Sequence, residues 1–77
     1  MAVQIPRLSM AAMEATFAGW LVDDGSTVRA GDPLYRLETD KVETEVEAAV
    51  DGTVRHGDVL ADEVYPVGTM VGEIVVE

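Results

Sequence analysis

The sequence predicts an all-β sandwich or barrel built from two similar halves. Three observations predict it: strict alternation over residues 42–48, short β-rich stretches separated by turn signals, and an internal repeat. The chain has 77 residues, which is near the lower limit for a core that folds without disulfides or metals. We therefore expect residues 1–77 to form one domain.

Composition excludes several function classes. Fifteen acidic residues against five basic ones argue against nucleic acid or an anionic membrane as a partner, because both need a basic surface. The chain has no cysteine, and hence no disulfide and no thiol nucleophile. It shows no apolar stretch of membrane-spanning length and no signal peptide. We expect a cytoplasmic protein, or one of the mitochondrial matrix if the source is eukaryotic.

The clearest strand runs from Val42 to Ala48. Its apolar and small residues share one face and its glutamates the other, a period of two. The other stretches rich in β-branched and aromatic residues are Thr16–Val22, Pro33–Glu38 and Met70–Val76. Turn signals lie at Asp24–Ser26, Ala30–Pro33, Asp51–Gly52 and Val67–Thr69. Residues 10–15 are expected to form a loop with at most one helical turn.

The two halves repeat at a spacing of 37 residues. Thr16 aligns with Thr53 and Gly31 with Gly68, and apolar positions align with apolar positions. This predicts two four-strand halves related by a pseudo-twofold axis. In this register Lys41 aligns with Gln4, so the turn at Lys41 corresponds to the place where the two termini meet.

The alternation and the repeat also predict which side chains are buried and which are not. His56 is expected to be a partly exposed strand residue, and Trp20 could be partly exposed as well, because a small core has limited room for an indole. The core candidates are Phe17, Trp20, Leu21, Leu34, Leu37, Val46, Val54, Val71 and Ile74.

Lys41, the single lysine, lies between the two best strands. Only Thr39, Asp40 and Lys41 separate the strand ending at Glu38 from the strand beginning at Val42, which is the spacing of a β-hairpin. Two interpretations of an exposed lysine at a hairpin tip stay open on these residues alone. It could be a covalent attachment point, or a solvated residue that keeps the turn polar.

Residues 37–46 resemble the modification hairpin of lipoyl domains from 2-oxo acid dehydrogenase acyltransferases. The family's core is Glu-Thr-Asp-Lys followed by Ala or Val, and Glu38-Thr39-Asp40-Lys41-Val42 matches it at every position. Two glycines that the family places well before and well after the lysine are matched by Gly25 and Gly52. Other segments that resemble the family are Pro6–Met10, Glu14–Phe17, Trp20–Gly25, Gly31–Leu34 and Asp51–Val54.

The resemblance implies a flattened β-barrel or sandwich of two four-stranded antiparallel sheets, the single hybrid motif. It implies lipoate in amide linkage on Lys41, with Glu38, Thr39, Asp40 and Val42 shaping and marking the turn. It also implies that Gly25 and Gly52 serve backbone turns that hold the hairpin. The implied partners are a thiamine-diphosphate-dependent 2-oxo acid decarboxylase (E1), the acyltransferase catalytic domain (E2), dihydrolipoyl dehydrogenase (E3) and a lipoate ligase or octanoyl transferase. The domain itself would be a carrier and not an enzyme.

The chain departs from the family pattern at four places, two of which are Ala49, in place of a common proline, and the polar segment at residues 56–58. Ala15 stands where the family usually has glycine. Residues 61–63 replace the glycine-bearing turn expected in the second half, so we expect that turn to differ in shape.

Two alternative functions stay open. A biotinyl carrier domain of a carboxylase shares the fold, but its lysine is normally flanked by methionines, whereas Asp40 and Val42 flank Lys41. An unmodified β-sandwich interaction module is the other alternative. Catalysis is not indicated, because His56 is the only histidine and no triad partner or metal-ligand spacing supports it.

Acidic residues surround Lys41 in the sequence. They could steer a partner enzyme through a basic patch on that enzyme. Alternatively, they could provide solubility and protect a sheet edge. These residues are Glu38, Asp40, Glu43, Glu45 and Glu47.

Overall fold

The computed structural model describes residues 1–7, 13–39 and 42–76. Within these ranges every regular element is a β-strand, and no helix is long and apolar enough to span a membrane. The strands are β1 (Ala2–Gln4), β2 (Glu14–Trp20), β3 (Thr27–Val28), β4 (Pro33–Glu38), β5 (Glu43–Glu47), β6 (Gly52–His56), β7 (Glu63–Pro66) and β8 (Met70–Val75).

The four strands named from the sequence are all present. β4 has the predicted bounds, and β2, β5 and β8 differ from their predicted bounds by no more than two residues at either end. The sequence pattern assigns no bounds to β1, β3, β6 and β7, and of these β1, β3 and β7 have four residues or fewer. Of the expected loop over residues 10–15, residues 10–12 lie outside the described residues. Glu14 and Ala15 belong to β2, so the loop prediction is wrong there.

The strands form two antiparallel four-stranded sheets. The first has the order β1-β8-β6-β3 and the second β5-β4-β2-β7. Adding four to each strand number, and counting on from β8 to β1, converts the first order into the second. The predicted sandwich of two related halves is therefore confirmed, and the sheets face each other without closing into a complete barrel.

The turn before β3 and the turn before β7 are also equivalent in the two halves. The Gly25 N–H donates to the Val54 carbonyl at 2.7 Å, and the Asp62 N–H donates to the Phe17 carbonyl at 2.7 Å. Gly25 and Asp62 both have a left-handed backbone, with φ of 88° and 66°. The expectation that the turn at residues 61–63 differs in shape is therefore wrong, since aspartate is one of the few residues that tolerate this conformation.

The equivalence of Lys41 with Gln4 is also wrong. Gln4 pairs with Met70, and Glu47 pairs with Pro33. Pro33 and Met70 begin the equivalent strands β4 and β8, so the counterpart of Gln4 is Glu47, and the offset here is 43 instead of 37. The cause is the connection over residues 5–13, which is longer than its counterpart over residues 48–51. The broader inference holds, because the connection from β4 to β5 corresponds to the gap between the end of β8 and the start of β1.

The core lies between the two sheets. Most predicted core residues are buried, while Trp20 and Val46 are half-buried and pack against the core. Leu21 is 42% exposed, so its assignment to the core is wrong; it follows the end of β2. The buried core residues that were predicted are Phe17, Leu34, Leu37, Val54, Val71 and Ile74.

Tyr35 is a fully buried residue that the alternation did not reveal. The register of β4 against β5 shifts between Pro33 and Tyr35, so that Leu34 and Tyr35 are both buried although they are adjacent. The Tyr35 hydroxyl donates to the Gln4 carbonyl at 3.1 Å. Its ring lies 5.2 Å from that of Phe17 and 5.4 Å from that of Trp20, measured between centroids.

In the second half of the chain, Gly72 leaves space for the Trp20 ring. Gly72 is the counterpart of Tyr35 across the repeat, and it is buried in β8. A Cβ atom at Gly72 would lie 3.0 Å from two ring carbons of Trp20 and 2.4 Å from the Arg55 carbonyl oxygen. The first half therefore supplies the large aromatic side chains, and the second half supplies the space for one of them.

Candidate functional site

The connection between β4 and β5 is a tight hairpin. Leu37 pairs with Thr44 and Glu38 with Glu43, and the Thr39 N–H then donates to the Val42 carbonyl at 2.8 Å. The Thr39 Oγ1 hydroxyl lies 3.4 Å from the same carbonyl oxygen. The predicted hairpin is thus confirmed up to Thr39 on one side and from Val42 on the other. Asp40 and Lys41 are the two residues between them and lie outside the described residues.

Val42 departs from the alternation predicted for its strand. The sequence placed it on the face of Val46 and Ala48, yet β5 begins only at Glu43 and the Val42 side chain is 50% exposed. Together with Glu38, Thr39 and Glu43 it lines a shallow surface depression of about 290 Å³. The residue that follows Lys41 therefore offers an accessible apolar side chain beside two carboxylates.

The outer face of the hairpin is strongly charged. Glu38 and Glu43 are direct cross-strand neighbours, and Arg36 and Glu45 form the next outward-facing pair. Arg36 makes an ion pair with Glu43, its diagonal neighbour. The sequence had suggested the acidic rim, and the structure confirms it for the described members. It had not singled out Arg36, whose importance depends on the strand register.

The two glycines inferred from the resemblance lie away from the hairpin sheet. Gly25 is in the turn before β3, and its N–H bonds to β6. Gly52 is the first residue of β6 and is not in a left-handed conformation, but a Cβ atom there would lie 2.4 Å from the Val75 carbonyl oxygen. Gly25 thus serves a turn and Gly52 a close approach between strands, and the contacts of both are with the sheet that does not contain β4 and β5.

The His56 side chain is held in the fold by a ring stack and a hydrogen bond. Its ring stacks on that of Trp20, with centroids 4.2 Å apart and planes 7° from parallel. Its Nε2 atom lies 2.9 Å from the Val22 carbonyl oxygen, which can only accept, so Nε2 carries a proton. Its backbone N–H donates to the Asp24 carboxylate at 2.8 Å. His56 is half-buried at the end of β6, as predicted, and its Nε2 is not free to act as a base.

No metal centre is formed by the described part of the chain. Across residues 1–7, 13–39 and 42–76, no three histidine, aspartate or glutamate side chains are placed to hold an ion together.

Residues 1–75 match the family model Biotin_lipoyl, described as "Biotin-requiring enzyme". The chain belongs to the biotin/lipoyl family. The match covers nearly the whole chain and includes the hairpin.

Similar proteins point to the lipoyl branch of this family. The chain is 36% identical over 70 residues to the dihydrolipoyllysine-residue acetyltransferase component of the acetoin cleaving system of Cupriavidus necator, covering 91% of this chain and 19% of that protein. It is 42% identical over 67 residues to the acetyltransferase component of the pyruvate dehydrogenase complex of Rhizobium meliloti, covering 87% and 14%. The chain thus spans less than a fifth of either relative.

The fold comparison agrees. The lipoyl domain of the 2-oxoglutarate dehydrogenase complex from Azotobacter vinelandii superimposes with a TM-score of 0.74 at 25% identity, over 96% of both chains. The resemblance to biotin/lipoyl domains is therefore confirmed, as is the flattened two-sheet fold. The relatives and the solved structure, together with the family match, favour a non-catalytic lipoyl carrier over a biotinyl carrier and over an unmodified interaction module.

Proposed function

We propose that residues 1–77 form one carrier domain that bears lipoate in amide linkage on the Lys41 amine. The arm would be presented to the enzymes of a 2-oxo acid dehydrogenase complex. When attached, lipoate supplies the dithiolane that accepts electrons and an acyl group, and the protein supplies placement and recognition.

The observation that supports this proposal is the Thr39–Val42 hydrogen bond. It closes the hairpin around Asp40 and Lys41, so the chain enters and leaves the attachment sequence at fixed backbone positions. The flanking Glu38 and Val42 side chains are exposed, and the depression beside them is shallow. The surroundings therefore fit a group that is attached from outside and stays free to move, and they do not fit a group held in a cavity.

The attachment signal that we propose is Glu38, Thr39, Asp40 and Val42 around Lys41. Thr39 would close the turn, and the exposed Val42 and Glu38 side chains would be read by the modifying enzyme. Gly25 and Gly52 would support this signal only indirectly, through the stability of the opposite sheet.

The proposed partners follow from the proteins that this chain resembles. They are a thiamine-diphosphate-dependent 2-oxo acid decarboxylase (E1), an acyltransferase catalytic domain (E2), dihydrolipoyl dehydrogenase (E3) and a lipoate ligase or octanoyl transferase. We place the domain in the cytoplasm, since the relatives named above are bacterial. The pseudo-twofold relation would leave the hairpin on the other side of the axis from residues 1 and 76, so a link through either residue would not obstruct Lys41.

The test is the intact mass of the domain after incubation with lipoate ligase, ATP and lipoate. We expect one lipoyl group on the wild-type domain and none on Lys41→Arg, which keeps the charge but cannot form the amide. A parallel reaction with biotin ligase and biotin should give no adduct. Lipoylation that persists in the Lys41→Arg variant, or a wild-type domain that gains only biotin, would contradict the proposal.

A further inference from the structure

We propose that Arg36 is a positioning residue for the modification of Lys41. Its ion pair with Glu43 holds the two strands of the hairpin together against the repulsion among the glutamates around it. This inference rests on the proposed function for its consequence, but the ion pair itself is a feature of the described structure.

The charges around Arg36 show why the hairpin needs a stabilising ion pair. We call the Arg36–Glu43 ion pair the brace. Glu38 and Glu43 face each other in the last strand pair before the turn, and Glu45 faces Arg36 in the next outward pair. Like charges directly opposite each other destabilise an antiparallel pair, and opposite charges on a diagonal stabilise it. Arg36 is therefore placed to offset the repulsion at the position where the strands must stay closed.

The other half of the molecule serves as an internal comparison. Arg36 and Glu38 correspond to Glu73 and Val75 in β8, and Glu45 corresponds to Ala2 in β1. Arg36 opposite Glu45 is thus matched there by Glu73 opposite Ala2, and Glu43 has no counterpart among residues 1–7. The fold itself does not require the charged arrangement, which is particular to the sheet that carries the hairpin.

The brace acts next to the hydrogen bond that closes the turn. The Glu38–Glu43 pair immediately precedes the bond from the Thr39 N–H to the Val42 carbonyl. Loss of Arg36 would leave Glu38 and Glu43 unscreened and lower the population of closed hairpins. An enzyme that binds only the closed form then needs more substrate, so KM for the domain rises while kcat is unchanged.

The expected effect is modest and sensitive to salt. The Arg36 and Glu43 side chains are 45% and 48% exposed, and exposed ion pairs change an equilibrium by about fivefold at most. Salt screens such pairs, so the effect should shrink as ionic strength rises. Both features distinguish a surface brace from a buried structural contact.

The test compares Arg36→Gln with wild type in two measurements. Hydrogen exchange of the Thr39 amide, followed by NMR, reports opening of the hairpin without any modifying enzyme. Lipoylation kinetics at low and high salt report KM and kcat. In Arg36→Gln we expect Thr39 exchange to rise about two- to fivefold at low salt. KM should rise by a smaller factor, set by the fraction of closed hairpins that is lost, with kcat unchanged.

Three further variants sharpen the comparison. Arg36→Lys should restore most of the protection, because it keeps the charge. Glu43→Gln added to Arg36→Gln removes the repulsion between positions 38 and 43 and should restore most of the Thr39 protection. Arg55→Gln removes an arginine that faces Glu73 in the other sheet and should leave Thr39 exchange and KM unchanged.

The outcomes separate this inference from the proposed function. Unchanged Thr39 exchange in Arg36→Gln overturns the brace, even where KM rises, because Arg36 would then contact the enzyme directly. Failure of Glu43→Gln to restore protection in the Arg36→Gln background also overturns it. Absence of lipoylation in the wild-type domain overturns the proposed function, and with it the role of Arg36 in modification.

Discussion

The ring of His56 lies flat against the ring of Trp20, with 4.2 Å between their centroids. Trp20 ends β2 and His56 ends β6, and these two strands belong to different sheets. The stack joins the sheets at the edge of the core, where the indole is half-buried.

The stack and the hydrogen bond of His56 should both stabilise the fold. His56→Phe keeps a ring against Trp20 but loses the bond from Nε2–H to the Val22 carbonyl, so we expect a loss of about 1 kcal/mol. His56→Ala loses both contacts, and we expect a loss about 1 kcal/mol larger. Urea unfolding measures both losses. Equal losses for the two variants would contradict a contribution from the stack.

Asp62 should be a site of strain that glycine relieves. It has a φ of 66°, and its counterpart Gly25 has a φ of 88°. We expect Asp62→Gly to stabilise the domain by about 0.5–1 kcal/mol and Gly25→Ala to destabilise it by about 1 kcal/mol. Urea unfolding followed by Trp20 fluorescence measures both changes. Destabilisation by Asp62→Gly would show that the aspartate side chain contributes more than its backbone conformation costs.

Gly72→Ala should be more damaging than Gly25→Ala. The added Cβ would meet the Arg55 carbonyl at 2.4 Å and the Trp20 ring at 3.0 Å, whereas nothing lies within 4 Å of a Cβ at Gly25. Relief requires the shift of a neighbouring strand, so we expect a loss of about 2–3 kcal/mol. The comparison uses the same urea titration. Equal losses for the two variants would show that the space beside Trp20 is not tightly filled.

The Tyr35 hydroxyl should lose its proton at a higher pH than an exposed tyrosine does. Burial disfavours the phenolate and raises the pKa of Tyr35 from 10.0 to about 12. Because the folded-state pKa is above the unfolded value, this contribution is complete below pH 10 and is lost as the pH rises through about 12. It amounts to about 2–3 kcal/mol. Phenolate absorbance of wild type minus Tyr35→Phe measures the titration; a midpoint near 10 would contradict it.

The acidic face of the hairpin should accelerate encounter with a basic partner surface. The sequence left edge protection as an alternative, yet the equivalent edge strand β1 carries no charged side chain. We expect Glu45→Gln with Glu47→Gln to slow reductive acylation about two- to fivefold at low salt and less at high salt. Asp58→Asn with Glu63→Gln changes the net charge equally and serves as control. Equal rates for both double variants would favour solubility alone.

The sequence predicted the hairpin well because two local signals agree there. The alternation through Glu43–Glu47 and the three-residue gap after Glu38 both depend on neighbours in the chain. The buried Tyr35 could not be predicted in this way, because a register shift against β5 breaks the alternation. The mistaken match of Lys41 with Gln4 has a similar origin, since a single offset cannot describe halves whose connections differ in length.

The proposed attachment residue could be named from the sequence, whereas the residues around it in the fold could not. Lys41 follows from a motif of consecutive residues, whereas the role of Arg36 depends on which residues face each other across β4 and β5. Likewise, Gly52 could be named from its position, but the reason for it is the Val75 backbone, which comes from the far end of the chain.

The Met1 amino group donates to the Ile74 carbonyl at 2.8 Å, so the first strand lies beside the last as β5 lies beside β4. A short turn joining residue 76 to residue 1 would complete a second hairpin and make the polypeptide chain cyclic, with the same eight strands. The cyclic chain could be opened at another connection, such as residues 57–62, to give a circular permutant with the same sheets. A Thr-Asp-Lys turn used for the join would place a second attachment sequence on the opposite side of the axis, turning a one-arm carrier into a two-arm one.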